Sequence, residues 1–190
     1  VMTDVLFKTR DSLSGHVPSL FTREELEAGK FFVSTLHRAE TTDDPARLAQ
    51  VVDALSQAPY PVILLAHPRL VARASEFGLN LNTGSLRARD PLAYPDLLAL
   101  AMLSRGIVTD SGGLQKEAFL LRVPCTTIRT ETEWVETVRL GWNILANSSD
   151  EIAAALTRPD PEPTDATPYG DGHAAENVID VLVSRAQKGR

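Results

Sequence analysis

The fold is predicted most directly from one stretch, Ile107-Val108-Thr109-Asp110-Ser111-Gly112-Gly113-Leu114-Gln115-Lys116-Glu117. An apolar strand pattern ends there in a polar turn, two glycines follow, and a helix pattern begins. Gly112 and Gly113 have no Cβ, so backbone N–H groups at this point can approach a ligand closely. A helix that begins here also offers unpaired N–H donors and the positive end of its dipole. The stretch therefore predicts a phosphate-binding turn between a strand and a helix.

Glu117 lies about one helical turn further along, too deep in the helix to act only as a cap. A carboxylate repels a phosphate, but it can accept two hydrogen bonds from a diol such as a ribose. The pattern thus favours a nucleotide over a bare anion. An alternative interpretation is an ordinary strand-to-helix connection, with Asp110 or Ser111 as N-cap and glycines that serve only the turn.

Composition limits the class of protein. The chain has 190 residues, of which 43% are hydrophobic, enough for one good core. Its net charge of −6 and pI near 5.2, without a cluster of Lys or Arg, argue against a nucleic-acid surface. Cys125, the single cysteine, is expected in the core, and no apolar run approaches the roughly 20 residues of a membrane span. The prediction is a cytoplasmic protein that binds neither nucleic acid nor membrane and uses no cofactor or metal ion.

Strand and helix patterns alternate along the chain. The strands are predicted at residues 31–36, 62–66, around Leu86, 106–109, 124–129 and 142–146. Helices are predicted between them, and two Ser/Thr-x-x-Glu sequences, residues 22–25 and 148–151, each indicate a helix N-terminus. This alternation predicts an α/β fold, a parallel sheet with helices on both faces.

Three polar sites follow strands of this sheet. His37 follows the strand at 31–36, His67 follows that at 62–66, and the turn at 110–113 follows that at 106–109. Right-handed crossovers place the carboxyl ends of such strands along one edge. A single histidine at a strand end is more often satisfied by backbone hydrogen bonds, but three polar strand ends on one edge favour a binding crevice.

Four segments together resemble the non-hydrolysing UDP-N-acetylglucosamine 2-epimerases. They are residues 32–41 (FVSTLHRAET), 66–69 (AHPR), 109–118 (TDSGGLQKEA) and 169–174 (YGDGHA). The segments run in the family's order over nearly the whole chain, and those around His37 and Ser111 are specific. The resemblance implies the C-terminal half of a glycosyltransferase-B-like fold, a Rossmann-like domain, and it implies that the family's N-terminal domain is absent from this chain.

The resemblance also implies roles for individual residues. Ser111, Gly112 and Gly113 would hold the diphosphate, and Glu117 the ribose hydroxyls, in agreement with the reading of the turn made from its residues alone. His37 matches a catalytic histidine that approaches the diphosphate and sugar, where a cation or donor stabilises charge as UDP departs.

Further matches concern the edges of the site. Arg38 and His67 match positions that some bacterial relatives use for a second, regulatory UDP-sugar, and Leu92 and Leu97 fall in the segment that frames the uracil. The expected partners are therefore UDP and a UDP-N-acetylhexosamine. Trp134 departs from the family, in which arginine often follows the loop glutamate. Either a phosphate-pairing charge is lost, or the branch acts on a modified sugar, or Trp134 is a packing anchor for the loop.

The family converts UDP-N-acetylglucosamine to UDP-N-acetylmannosamine by eliminating UDP and adding it back, which requires an acid and a base. In the family these carboxylates belong to the first domain. Glu131, Glu133 and Glu136 of this chain are expected only to cap or solvate their loop. The chain alone is therefore expected to be inactive. Two alternatives remain, the nucleotide-binding half of a glycosyltransferase and a non-catalytic UDP-sugar sensor.

The expected domain organisation has three parts: a UDP-binding domain at 1–158, a proline-rich connector at 159–172, and a crossover helix with a tail at 173–190. Val178, Val181 and Leu182 give the last helix a short apolar face. This face is expected to fold onto its own domain, to pair with another copy as a homodimer, or to fray, because an isolated helix of this length is marginal in water.

Overall fold

The computed structural model describes residues 1–188 and divides them into two compact units. Residues 17–162 form the larger unit, and residues 1–16 join those from 163 onward in the smaller one. This division differs from the one expected from the sequence, because residues 1–16 belong with the C-terminal segment. The end of the expected tail, residues 189 and 190, lies outside the described residues.

The larger unit contains a six-stranded sheet in which every neighbouring pair is parallel. Its strands are β1 (Phe32–Thr35), β2 (Val62–Leu65), β3 (Leu86–Arg89), β4 (Gly106–Thr109), β5 (Cys125–Thr127) and β6 (Asn143–Leu145). Their order is β3-β2-β1-β4-β5-β6, so the direction of winding reverses between β1 and β4. Ligands of open parallel sheets bind outside the carboxyl ends of the strands at such a switch point. The predicted α/β fold is confirmed, and all six predicted strands are present.

Ten helices are present in the described residues. They are α1 (Met2–Ser12), α2 (Ser19–Arg23), α3 (Ala39–Thr42), α4 (Pro45–Ser56), α5 (Pro68–Glu76), α6 (Tyr94–Leu103), α7 (Gly112–Leu120), α8 (Val135–Arg139), α9 (Ser149–Thr157) and α10 (Ala174–Lys188). No helix in this part of the chain combines the length and apolar composition that a membrane crossing requires.

One of the two predicted capping boxes is correct and the other is wrong. Ser148 and Glu151 form a reciprocal box at the start of α9. Thr22 instead lies inside α2, and Glu25 adopts the left-handed conformation at φ 52°, so the chain turns away where a helix was predicted to begin.

The core lies on both faces of the sheet, as alternating side chains of a strand require. Val33, Ile63 and Ile107 pack with α6 and α7 on one face. Phe32, Val62, Leu64 and Val108 pack with α4, α5 and α9 on the other face. The predicted core position of Cys125 is correct, and burial raises the pKa of its thiol to about 12.

The smaller unit is held by hydrogen bonds between its two chain segments. Thr3 Oγ1 donates to the carbonyl oxygen of Tyr169 at 3.0 Å, and Asp4 Oδ2 accepts the N–H of Ala175 in the first turn of α10 at 2.8 Å. Along α10 the apolar side chains are about half exposed or more, namely Val178, Ile179, Val181, Leu182 and Val183. The predicted apolar face is therefore present and uncovered within the described residues.

Candidate functional site

Asp110 joins the ends of β1 and β4 at the switch point. Its carboxylate is fully buried and accepts the backbone N–H of His37 at 3.0 Å and that of Arg38 at 3.0 Å. His37 Nδ1 lies 3.3 Å from Asp110 Oδ1, while the imidazole is about half exposed. Asp110 therefore fixes the backbone of His37 and Arg38, and it leaves Nε2 of His37 for a ligand.

Ser111, Gly112 and Gly113, here called the glycine corner, begin α7. Ser111 is the N-cap, with its hydroxyl oxygen 3.5 Å from the N–H of Leu114. Neither glycine has a positive φ, so the turn itself does not require them. Within residues 1–188 the N–H groups of Gly112 and Gly113 donate to no protein acceptor. The glycine corner thus presents two donors and the positive end of the α7 dipole to the crevice.

Three side chains surround the glycine corner. A Cβ placed on Gly112 would lie 3.5 Å from Glu133 Oε2, 3.8 Å from Trp134 Nε1 and 3.9 Å from Arg38 Nη2. Trp134 Nε1–H donates to the Gly112 carbonyl oxygen at 2.6 Å, and Lys116 Nζ lies 4.9 Å from the Trp134 ring centroid. These contacts fit the interpretation of Trp134 as an anchor that fixes the loop against the start of α7.

Glu133 has a larger role than the sequence suggested. It forms a bidentate ion pair with Arg129, in which Nη1 lies 3.0 Å from Oε2 and Nη2 lies 3.2 Å from Oε1. Glu133 Oε1 also lies 3.6 Å from Arg38 Nη2. The hydrogen bond from Arg129 lowers the pKa of the Glu133 carboxyl. Glu133 therefore pairs with two arginines beside the glycine corner, in addition to the loop role expected from the sequence.

Glu117 meets a partner that the sequence analysis did not single out. Its Oε1 accepts a hydrogen bond from the Tyr94 hydroxyl at 2.9 Å. Burial raises the pKa of Glu117, and the hydrogen bond from Tyr94 opposes that rise. Burial and Glu117 both raise the pKa of Tyr94, so the phenol keeps its proton at neutral pH. Tyr94 lies within the segment from Leu92 to Leu97 that the resemblance assigned to the uracil, and this was the one available signal.

A second part of the crevice lies between β1 and α6. His67, Leu92 and Leu97 line one cleft together with His37, so the structure brings these four predicted residues together. His67 Nδ1 also accepts the N–H of Arg69 at 3.2 Å and caps α5. This cap is the backbone role that the sequence analysis gave to an isolated strand-end histidine.

The nine predicted site residues thus fall into three groups at one sheet edge. Arg38 lies beside the glycine corner, Glu117 pairs with Tyr94, and the remaining four share the cleft. In the described part of the chain, no group of three His, Cys, Asp or Glu side chains is arranged to hold a metal ion.

Comparison with known proteins gives a family match over almost the whole chain. The sequence model of the family described as UDP-N-acetylglucosamine 2-epimerase matches residues 1–183. A UDP-2,3-diacetamido-2,3-dideoxy-D-glucuronate 2-epimerase from Pseudomonas aeruginosa is 39% identical over 158 residues, which are 80% of this chain and 44% of the relative. A UDP-N-acetylglucosamine 2-epimerase from Methanocaldococcus jannaschii is 35% identical over 161 residues, with the same two coverages.

A solved structure of a relative extends this match to the fold. The Methanocaldococcus jannaschii UDP-GlcNAc 2-epimerase in complex with UDP-GlcNAc and UDP superposes with a TM-score of 0.77 and 28% identity, over 96% of this chain and 53% of that one. The chain spans about half the length of the relatives it matches. Its sheet is accordingly one Rossmann-like half of a glycosyltransferase-B-like fold.

Proposed function

Because the chain belongs to the UDP-N-acetylglucosamine 2-epimerase family, we propose that it is the UDP-binding half of a UDP-sugar 2-epimerase. The observation that carries the proposal is the glycine corner, where two unpaired N–H groups lie beside Arg38 at the switch point of the sheet. The family match favours this function over the nucleotide-binding half of a glycosyltransferase. A sensor of UDP-sugars would bind the same ligands without turnover, so a turnover assay of the complete protein separates it from an epimerase.

The diphosphate would bind at the glycine corner. The N–H groups of Gly112 and Gly113, the Ser111 hydroxyl and the α7 dipole all favour an anion at this position. His37 Nδ1 lies beside Asp110, and its Nε2 would contact the departing diphosphate. Donors fixed in this way stabilise the charge that develops as the bond between the sugar and UDP breaks.

The nucleoside would extend from the glycine corner towards α6. Glu117 would accept hydrogen bonds from the ribose hydroxyls, and Leu92 and Leu97 would pack against the uracil. Arg38 and His67 are the candidates for a second, regulatory UDP-sugar. The position of Arg38 beside Gly112 also favours a contact with the diphosphate of the substrate.

Two classes of UDP-sugar are candidate substrates. The first is the N-acetylhexosamine pair, UDP-N-acetylglucosamine and UDP-N-acetylmannosamine, which the names of several relatives support. The second is a diacetamido uronate, the substrate class in the name of the relative with 39% identity. A cleft beside the glycine corner is lined by Arg38, Arg47 and Arg129, whose guanidinium groups can bind a carboxylate, and also by Glu40 and Glu131, which repel one. Assaying the complete protein with both UDP-sugars would decide between them.

Calorimetry with UDP and UMP tests the binding proposal. We expect UDP to bind about tenfold or more tightly than UMP, because only its second phosphate adds charge-assisted hydrogen bonds at the glycine corner. Glu117→Ala should weaken UDP binding about 10- to 100-fold through loss of the ribose hydrogen bonds. Glu27→Ala removes an exposed glutamate that pairs with Lys30, and it should leave affinity unchanged. Equal affinities for UDP and UMP would contradict the diphosphate assignment, and full affinity in Glu117→Ala would contradict the ribose assignment.

A further inference from the structure

Tyr94 and Glu117 form a hydrogen-bonded pair between two helices that border the crevice. Tyr94 is the first residue of α6, and Glu117 lies on α7, whose N-terminus is the glycine corner. The Tyr94 hydroxyl donates to Glu117 Oε1 at 2.9 Å, and both side chains are partly buried. The pair therefore links the segment expected at the base to the helix expected at the phosphates.

This pairing fixes the direction of the carboxylate. A carboxylate has two acceptor oxygens, and within residues 1–188 Oε2 of Glu117 receives no hydrogen bond. With Oε1 held by Tyr94, rotation of the carboxylate would break a hydrogen bond in a partly desolvated site. Oε2 is therefore held in one place, free to accept from a ligand hydroxyl. A hydroxyl that donates can still accept, so the Tyr94 oxygen offers a second acceptor next to it.

We propose that Tyr94 is a positioning residue that orients Glu117 towards the ribose and thereby sets the selectivity of this chain for ribonucleotides over deoxyribonucleotides. The inference rests on the proposed function, since it presupposes that UDP binds in the crevice. Two fixed acceptors side by side suit a vicinal diol, and they lose a partner when one hydroxyl is removed. A purely structural link between α6 and α7 would instead weaken all ligands to the same degree.

The pH dependence of binding gives a second signature. Ionised Glu117 can accept hydrogen bonds at both oxygens, whereas a protonated carboxyl carries a donor on one of them, and burial raises the pKa of Glu117 above the ordinary value. Binding should therefore weaken as pH falls through this raised pKa. Tyr94 lowers the pKa of Glu117 by donating to the charged form, and in the described residues it is the titratable group that faces this carboxylate. Removing the Tyr94 hydroxyl should consequently raise the pH midpoint, that is, the pH at which half of the binding affinity is lost.

Tyr94→Phe tests the inference with little change of shape. Calorimetry would compare UDP with 2′-deoxy-UDP for the wild-type chain, for Tyr94→Phe and for the control Tyr60→Phe, whose ring packs against Phe32 in the core. We expect the wild-type chain to prefer UDP about tenfold or more, and Tyr94→Phe to reduce this ratio to about threefold or less. Tyr60→Phe should keep the wild-type ratio, and thermal unfolding of each variant would verify that it is folded.

A pH series with UDP-N-acetylglucosamine, whose phosphates carry no proton that titrates near neutrality, completes the test. The pH at which half of the binding affinity is lost should be about 0.5 pH unit or more higher for Tyr94→Phe than for the wild type. In Glu117→Gln, which removes the titrating group, Tyr94→Phe should add little further loss of selectivity.

The outcomes separate the inference from the proposed function. No UDP binding by the wild-type chain would overturn the proposed function. A second outcome is that the wild-type chain binds UDP and discriminates against 2′-deoxy-UDP, while a folded Tyr94→Phe shows the same affinity ratio and the same pH midpoint of binding. This outcome would overturn only the role of Tyr94. Lack of discrimination in the wild type would overturn the ribose assignment that both share.

Discussion

At the scale of single residues, Asp110 shows how one side chain can organise the crevice. It was a candidate N-cap in the sequence, but Ser111 takes that position, and Asp110 instead binds the backbone of His37 and Arg38. A fully buried carboxylate is costly unless it is hydrogen-bonded, and these two N–H groups supply the bonds. Asp110 therefore belongs to the site as the residue that places His37.

Two glycines outside the site permit a matched prediction about stability. Gly78 and Gly84 both have positive φ, 68° and 55°, and so share the strain that any other residue would meet there. A Cβ on Gly78 would meet open space, whereas a Cβ on Gly84 would overlap the carbonyl oxygen of Ser56. We expect Gly78→Ala to lower the free energy of unfolding by about 1 kcal/mol, and Gly84→Ala by about 2–4 kcal/mol.

Urea unfolding of both variants checks this difference. Gly78→Ala serves as the control, because it carries the backbone strain without the steric overlap. An equal decrease in the free energy of unfolding in the two variants would show that the loop at Gly84 moves away from Ser56 at little energetic cost.

At the scale of elements, the two Ser/Thr-x-x-Glu sequences show when a local signal decides the structure. At residues 148–151 the box forms as predicted. At residues 22–25 it fails, because Glu24 turns to Arg89, whose Nε donates to Glu24 Oε1 at 2.6 Å, and Arg87 donates to the Glu24 carbonyl oxygen. A cap contributes about 1 kcal/mol, which a partly buried ion pair and hydrogen bonds to β3 can exceed.

The capping box of α9 gives the prediction at this scale. Ser148 Oγ accepts the N–H of Glu151 at 3.2 Å, and Glu151 Oε2 accepts the N–H of Ser148 at 2.9 Å. Ser148→Ala leaves the N–H of Glu151 without this acceptor, so we expect the free energy of unfolding to fall by about 0.5–2 kcal/mol. Thr157→Ala, at the other end of α9, should change it by less than about 0.5 kcal/mol. Thermal or urea unfolding of both variants would measure this, and equal losses would contradict a role for the cap.

The half of this box that uses the Glu151 carboxylate should weaken at low pH. The N–H groups of Asn147 and Ser148 lower the pKa of Glu151 by binding its charged form. A carboxyl whose pKa is lower in the folded state contributes stability above its ordinary pKa, and this contribution disappears as pH falls through the lowered value. The difference in the free energy of unfolding between wild type and Glu151→Gln should therefore narrow below about pH 4.

At the scale of the whole molecule, the chain spans about half the length of its relatives and carries the residues that we propose bind UDP. The resemblance assigns the catalytic acid and base to the family's first domain, and no pair of carboxylates at the glycine corner replaces them among the described residues. Glu133 is engaged by Arg129, and Glu117 by Tyr94. Pairing of α10 with a second copy through its exposed apolar face remains a prediction, to be measured as the oligomeric state in solution.

We expect this chain by itself to bind UDP-N-acetylglucosamine without epimerising it, because a binding half alone cannot remove and return the proton at C2. NMR of UDP-N-acetylglucosamine in D₂O would detect exchange at C2. The UDP-N-acetylglucosamine 2-epimerase of Methanocaldococcus jannaschii would be the positive control. Deuterium incorporation catalysed by the chain alone would contradict the two-domain account of the chemistry.

Sequence patterns alone were enough to predict the α/β class, the approximate positions of the strands and the sheet edge at which the polar residues lie. These features depend on local patterns, such as the change from the strand at Thr109 to the helix at Gly112, and local backbone preferences act within a few residues. Which side chains contact one another, in contrast, depends on three-dimensional packing. Asp110 reaches His37 across 73 positions of the chain, and Tyr94 reaches Glu117 across 23. Such pairs depend on the sheet order that makes β1 and β4 neighbours and on the packing of α6 near α7, which no local pattern encodes.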